Sequence, residues 1–157
     1  MTNTSSTLLF PYKTLTIQSS AFVNGGVLPS VYRREGLNVN PLLRINAIPS
    51  ESRSLAVVMK DADAPVAPRI HWICWDLPPG EWIHPNDNRG INGLNDFQIS
   101  TYTGPCVCNP RHKYFFHVYA LDQKLHLPFS TPHYKFYKLL QAHLLAEGSL
   151  LFFSYRG

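Results

Sequence analysis

Leu55-Ala56-Val57-Val58-Met59 is a continuous apolar run, and two residues later the chain reads Asp61-Ala62-Asp63-Ala64-Pro65. Consecutive apolar positions rich in β-branched residues describe a strand covered on both faces, not an alternating surface strand. Ile70-His71-Trp72-Ile73-Cys74-Trp75 is a second such run, interrupted by a single histidine, and residues 114–121 form a third, the most aromatic of the set. Strands buried on both faces need layers above and below them. The sequence therefore predicts a mainly-β sandwich.

Shorter pieces surround these three strands. Leu15-Thr16-Ile17 alternates briefly, as an edge strand does, and residues 42–48 read as a further short strand closed by Pro49. Asn24-Gly25-Gly26, followed by Pro29, is turn chemistry, because glycine takes positive φ at no steric cost. The Gly/Asn/Pro-rich stretch 78–95 is expected to be a long ordered loop, a type that usually carries function. One helix is expected to begin near Thr131-Pro132, with Thr131 as N-cap and Pro132 at the first helical position. Tyr137, Leu140 and Leu144 would face inward, Lys135 and Lys138 outward, and Gly148 would stop it. A short apolar strand, 150–153, would end the chain. Residues 1–13, rich in Ser and Thr, are expected to be a loosely held arm before a single domain over 14–157.

Composition narrows the function classes. In 157 residues, 45% are hydrophobic and only 15% charged, which a core-forming globular chain requires and a disordered one lacks. Thirteen prolines and 13% aromatic residues favour strands and loops over a helical bundle. The net charge is +4, but the fourteen basic residues are scattered, and Arg33-Arg34 is the only adjacent pair. Nucleic-acid binders concentrate such charge, so no nucleic acid partner is expected, only a bias toward anions. No apolar run is long enough to insert stably in a bilayer. Residues 1–10 lack the basic and apolar regions of a signal peptide, and Cys74, Cys106 and Cys108 form no C-x-x-C. Cys106 and Cys108 are too close in sequence for an easy bridge. Reduced thiols and a cytoplasmic address are the expectation.

Polar residues stand out at the ends of the apolar strands. Asp61 and Asp63, two apart, share a side in extended chain, and so do His112 and Tyr114. Each has an ordinary reading. Asp-x-Asp before Pro is often a turn whose carboxylates accept local N–H bonds. A lone histidine in an apolar strand is often a satisfied core residue.

The order of these pieces along the chain changes their weight. Asp61-Ala62-Asp63-Ala64-Pro65, then His71-Trp72, then Tyr102-Thr103-Gly104-Pro105, then His112-Lys113-Tyr114-Phe115-Phe116 closely resembles the phosphatidylethanolamine-binding protein family. Within it, the small bacterial and archaeal, Raf-kinase-inhibitor-like branch is nearest. The likeness runs from about Ala21 to the C-terminus. It includes Phe22-Val23-Asn24-Gly25-Gly26, Asn40-Pro41-Leu42, Ser54-Leu55-Ala56, Asn92-Gly93-Leu94-Asn95-Asp96-Phe97 and Val118-Tyr119-Ala120-Leu121.

The resemblance implies a large central antiparallel sheet packed on a smaller one, with one or two peripheral helices and an anion pocket at one end. Asp61, Asp63, Pro65 and His71 match the family's first motif and its pocket histidine. Gly104, Pro105, His112 and Tyr114 match the second motif. Members bind phosphate, phosphorylethanolamine or acetate there, and some inhibit kinases or proteases. A small anionic ligand, a kinase or protease partner, a homodimer, no cofactor and no catalysis are the expectations carried over.

Physical chemistry suits such a site. Imidazole, phenol and backbone N–H groups donate to an oxyanion, while Asp61 would repel it and is more useful orienting an imidazole. Arg111 is the arginine adjoining the motif. Without a guanidinium clamp, phosphate is expected to bind with only about 4–6 kcal/mol. The chain departs from the family pattern at Ala62, where proline is usual, at Gln98, where glycine is common, and in Cys106-Val107-Cys108-Asn109-Pro110. Two hydrolytic alternatives arise from the same residues: a metal held by Asp61, Asp63, His71, His112 and Cys106, or a Cys106–His112 thiol–imidazole pair.

Overall fold

The computed structural model describes residues 12–107 and 110–155. The apolar run Leu55 to Met59 is the middle of β5 (Ser54–Asp61), and its side chains are all fully buried. It pairs antiparallel on one side with β6 (Arg69–Leu77) and on the other with β9 (His112–Leu121). β9 in turn pairs with β10 (Leu144–Ser154). Short strands finish the edges of this seven-stranded sheet: β1 (Lys13–Thr14) and β3 (Gly26–Val27) lie parallel to β10, and β8 (Ile91–Asn92) pairs with β6. A second sheet of three strands has the order β2 (Thr16–Gln18), β4 (Leu43–Asn46) and β7 (Trp82–Ile83).

Burial on both faces of the large sheet has two causes. Leu55, Val57 and Met59, with Phe116 and Phe152, face the small sheet and meet Leu43, Ile45 and Ile83. Ala56, Val58, Ile73 and Trp75 point the other way and are covered by Phe136 and Leu140 of α1 (His133–His143). At roughly 1.5–3 kcal/mol for each large side chain fully buried, these two layers are the main drive for the sandwich. The mainly-β, two-sheet expectation holds.

Four local expectations are corrected. The stretch 78–95 is not loop throughout, because β7 and β8 lie inside it. Thr131 is not the helix cap: its hydroxyl donates to the Pro128 carbonyl at 2.6 Å, and Pro132 occupies the N-cap position. Gly148 does not stop the helix, which ends at His143, and the last strand runs from Leu144, not from Leu150. Of the expected N-terminal arm, residues 1–11 lie outside the described residues, while Lys13 is already paired with Ala146.

Gly148 has a different reason to be glycine. A Cβ there would sit 2.2 Å from the Leu15 carbonyl oxygen, where the backbone between β1 and β2 crosses β10. Gly148→Ala is expected to cost about 2–3 kcal/mol by overpacking, lowering the melting midpoint by roughly 5–10 °C. Calorimetry of the variant checks this.

Candidate functional site

Asp61 ends β5 opposite Tyr114 on β9 and opposite Arg69 on β6, so antiparallel pairing alone gathers the strand ends that carry the polar motifs. Asp61 is nearly fully buried. Its Oδ1 accepts the Asp63 N–H at 3.0 Å, and its Oδ2 accepts from His112 Nδ1 at 2.7 Å. A carboxylate can only accept, so Nδ1 of His112 carries the hydrogen and Nε2 is left for other partners. Orienting an imidazole was the role expected of Asp61, and His112 is the imidazole.

His71 is held in the same way by another group. Its Nδ1 donates to the Thr103 carbonyl at 2.8 Å, which again leaves Nε2. The ring is buried between the edges of Phe97, 5.0 Å away, and Tyr114, 5.4 Å away. Burial pushes its pKa below the ordinary histidine value. Arg34 and Arg69 push the same way, while Thr103 and Asp61 oppose them. The free protein therefore holds His71 neutral near pH 7, with an accepting lone pair on Nε2.

A cavity of about 160 Å³ opens between these groups. Asp61, Pro65, His71 and His112 line it, together with Arg34, Arg69 and Phe97. Both guanidiniums lie over the Phe97 ring, Arg34 at 4.8 Å and Arg69 at 5.5 Å from its centre. Neither makes an ion pair with a carboxylate among the described residues. The cavity thus contains two cations and two imidazoles, and its lone carboxylate is already engaged.

The other four residues of the expected site stand one layer back. Asp63 accepts the Lys113 N–H at 2.9 Å and ties the turn after β5 to the start of β9. Its side chain does not share Asp61's task, because the chain turns at Ala62 and the two-residue period lapses. Tyr114 is fully buried, stacked on Phe152 at 5.1 Å, and supports His71 from behind. The Gly104 N–H donates to Asn38 Oδ1 at 2.7 Å, so it is not directed at a ligand. Pro105 offers its carbonyl to the Arg34 N–H at 3.0 Å.

This last pair explains how Arg34 reaches the cavity. A Cβ on Gly104 would lie 2.4 Å from the Tyr32 carbonyl oxygen, so only glycine lets the two segments approach. Tyr102 Oη donates to that carbonyl at 2.8 Å, and the Val107 N–H donates to Glu35 Oε1 at 2.9 Å. Residues 102–107 therefore clamp 32–35 against the cavity mouth. On the far side Asn95, itself buried, donates to the carbonyls of His71 and Thr101 and accepts the N–H groups of Phe97 and Ile99. It fixes the loop that carries Phe97. Gln98, at the family's usual glycine position, adopts a left-handed φ of 61° within that loop.

Arg34, Arg69 and Phe97 were missed by the sequence reading, which singled out Arg111. That residue lies over Phe153 at 4.2 Å and does not line the cavity. The expectation of a site lacking a guanidinium is overturned. Arg69 left a readable signal: it precedes His71 by two in an extended strand, so both point the same way. Arg34 left none, since its partner segment is some seventy residues distant.

Cysteine chemistry is corrected as well. Cys74 is a free, buried thiol whose pKa burial raises to about 12, while Cys106 is disulfide-bonded. A bonded sulfur is no nucleophile, so the thiol–imidazole alternative falls, and with it the cysteine argument for a cytoplasmic address. No three His, Cys, Asp or Glu side chains among the described residues converge as a metal centre would require. No helix among them is long and apolar enough to cross a membrane.

Comparison with known proteins bears on the family and the fold. A UPF0098 protein of Pyrococcus abyssi is 37% identical over 146 residues, covering 85% of this chain and 81% of the relative. A UPF0098 protein of Archaeoglobus fulgidus is 32% identical over 88% of this chain, and the match spans half of that relative's length. Among solved structures, the phosphatidylethanolamine-binding protein homolog CT736 from Chlamydia trachomatis superposes with a TM-score of 0.83 at 26% identity. That superposition covers 90% of this chain and 97% of the other. The family model described as "Phosphatidylethanolamine-binding protein" matches residues 18–155. Fold, motif order and sequence match concur: the chain belongs to the phosphatidylethanolamine-binding protein family.

Proposed function

We propose that the chain is a non-catalytic binding protein that captures a small oxyanion, phosphate or a phosphomonoester, at the sheet end, and presents it while modulating a protein partner such as a kinase or protease. One observation carries the reading. Two guanidiniums without carboxylate partners among the described residues and two imidazoles with their Nδ1 atoms committed face one small cavity. The two guanidiniums donate to oxygen as they stand and each imidazole Nε2 can donate once protonated, which suits an oxyanion seat.

The absence of catalysis rests on the same lining. Cys106 is bonded, and Asp61 is spent on the Asp63 N–H and His112, so the cavity offers no activated nucleophile. A protein partner fits the rim, where Val66, next to the lining Pro65, is fully exposed. Its φ of 76° holds a β-branched residue in the left-handed region, a cost of order 1–3 kcal/mol that positions an apolar side chain in solvent.

Titration with inorganic phosphate followed by backbone amide NMR tests the seat. Shifts are expected to centre on Asp61, His71, Phe97 and His112, and His112→Ala is expected to weaken binding about tenfold with the rest of the spectrum unchanged. Shifts confined to residues remote from the cavity would overturn the reading.

A further inference from the structure

The backbone fixes Phe97 in the cavity wall from both sides. On one side Asp96 and Ile70 bond in both directions, the Asp96 N–H to the Ile70 carbonyl at 3.0 Å and the Ile70 N–H to Asp96 Oδ2 at 2.7 Å. Ile70 stands between Arg69 and His71, so this pairing sets the Phe97 ring beside both. On the other side the Gln98 N–H donates to the Asn95 carbonyl at 3.0 Å, closing a tight turn, while Asn95 Oδ1 accepts the Phe97 N–H at 2.8 Å.

The guanidiniums have no comparable anchor of their own. Arg34 and Arg69 are exposed, and neither pairs with a carboxylate among the described residues. What they share is the ring, 4.8 Å from Arg34 and 5.5 Å from Arg69 at its centre. A long side chain that is free in solvent loses rotamer freedom when it clamps a ligand, which weakens affinity roughly twofold to tenfold for each. A group that holds the arginine beforehand removes part of that loss. A carboxylate could do so, but its charge would repel the incoming oxyanion. The face of an aromatic ring attracts a cation while carrying no net charge.

We infer that Phe97 is a positioning residue of the anion seat, its ring holding Arg34 and Arg69 at the cavity before the anion arrives. The inference rests on the oxyanion reading above and adds how that site is preorganised. The ring offers the ligand no hydrogen bond. It acts through the two arginines, so its contribution disappears when they are absent.

A double-mutant cycle read by NMR titration with inorganic phosphate tests this, with Phe97→Leu and Phe97→Tyr made both in the wild type and in the Arg34→Ala/Arg69→Ala background. In the wild type, Phe97→Leu is expected to bind phosphate about fivefold to tenfold more weakly, and Phe97→Tyr, which keeps an aromatic face, to recover most of that loss. Without the two arginines, Phe97→Leu is expected to change affinity by less than about twofold. In the unliganded wild type the δ protons of Arg34 and Arg69 are expected to show ring-current shifts that Phe97→Leu removes. Phosphate binding by Phe97→Leu within about twofold of the wild type would overturn this inference and leave the oxyanion seat standing. So would an equal loss in the background lacking the arginines, which would assign the ring's effect to its other neighbour, His71. No binding of phosphate by the wild type would overturn the oxyanion reading, and this inference with it.

Discussion

Replacing Arg34 and Arg69 together by alanine is expected to weaken inorganic phosphate binding by roughly 30- to 100-fold, with little change in thermal stability. Each guanidinium can supply a charge-assisted hydrogen bond, typically worth about 1.5–3 kcal/mol and less at an exposed site. Both side chains are largely exposed, so the lower half of that range applies, about tenfold for either single change. The two share one ligand and one aromatic ring, so their effects need not add. Stability should hardly move, since no carboxylate among the described residues loses a partner when they go. Two such donors also revise the expected affinity of the wild type upward, from about 4–6 kcal/mol to about 6–7 kcal/mol, or roughly 7 to 40 μM. Isothermal titration of the wild type, both single variants and the double variant measures each figure. A double variant that binds phosphate as tightly as the wild type would remove the arginines from the site.

Anion affinity is expected to fall as pH rises, and each binding event to take up protons. The sign follows from the hydrogen bonds. Nδ1 of His71 is committed to Thr103, so a neutral ring turns a lone pair toward the cavity, and a lone pair repels an oxyanion. Protonation of Nε2 converts that repulsion into a charged donor. In the free protein burial holds the His71 pKa below 6.5, so the proton must arrive with the ligand. A bound anion favours the charged ring and raises the pKa, so lower pH favours the complex and higher pH the free state. Sulfate is the cleaner probe, because it does not titrate here. Its affinity is expected to drop by up to about tenfold per pH unit between pH 6 and 8. In buffers of different ionisation enthalpy, calorimetry near pH 7 is expected to show close to one proton taken up. His71→Phe should abolish most of both effects.

Much of this could be read from the chain before any coordinates. Three runs buried on both faces dictated the sandwich, and Asp61 and His112 met because they end neighbouring antiparallel strands. The last strand was also legible. Leu144, Ala146, Leu150, Phe152 and Ser154 are its buried residues, at even spacing, and that alternation continues through the half-buried Gly148. Reading Gly148 as a helix stop weighed one residue's habit against a periodicity spanning eleven.

What the sequence hid was of two kinds. Arg34 is placed by tertiary contacts: Gly104 must lack a side chain for 32–34 to approach, and Pro105 must offer its carbonyl. No local pattern encodes such an encounter. The direction of the histidine hydrogen bonds was hidden too. Both rings were expected to donate to the anion, whereas each spends its Nδ1–H on the protein. That difference turns a fixed cradle of donors into one completed by a proton.

Nitrogen-detected NMR of the imidazole side chains, recorded with and without inorganic phosphate near pH 7, tests the central claim most directly. Nδ1 of His71 is expected to stay protonated throughout while its Nε2 changes from an unprotonated to a protonated signal as phosphate saturates. Imidazole signals of His71 and His112 that stay fixed, while those of the peripheral His126 or His143 move, would contradict it.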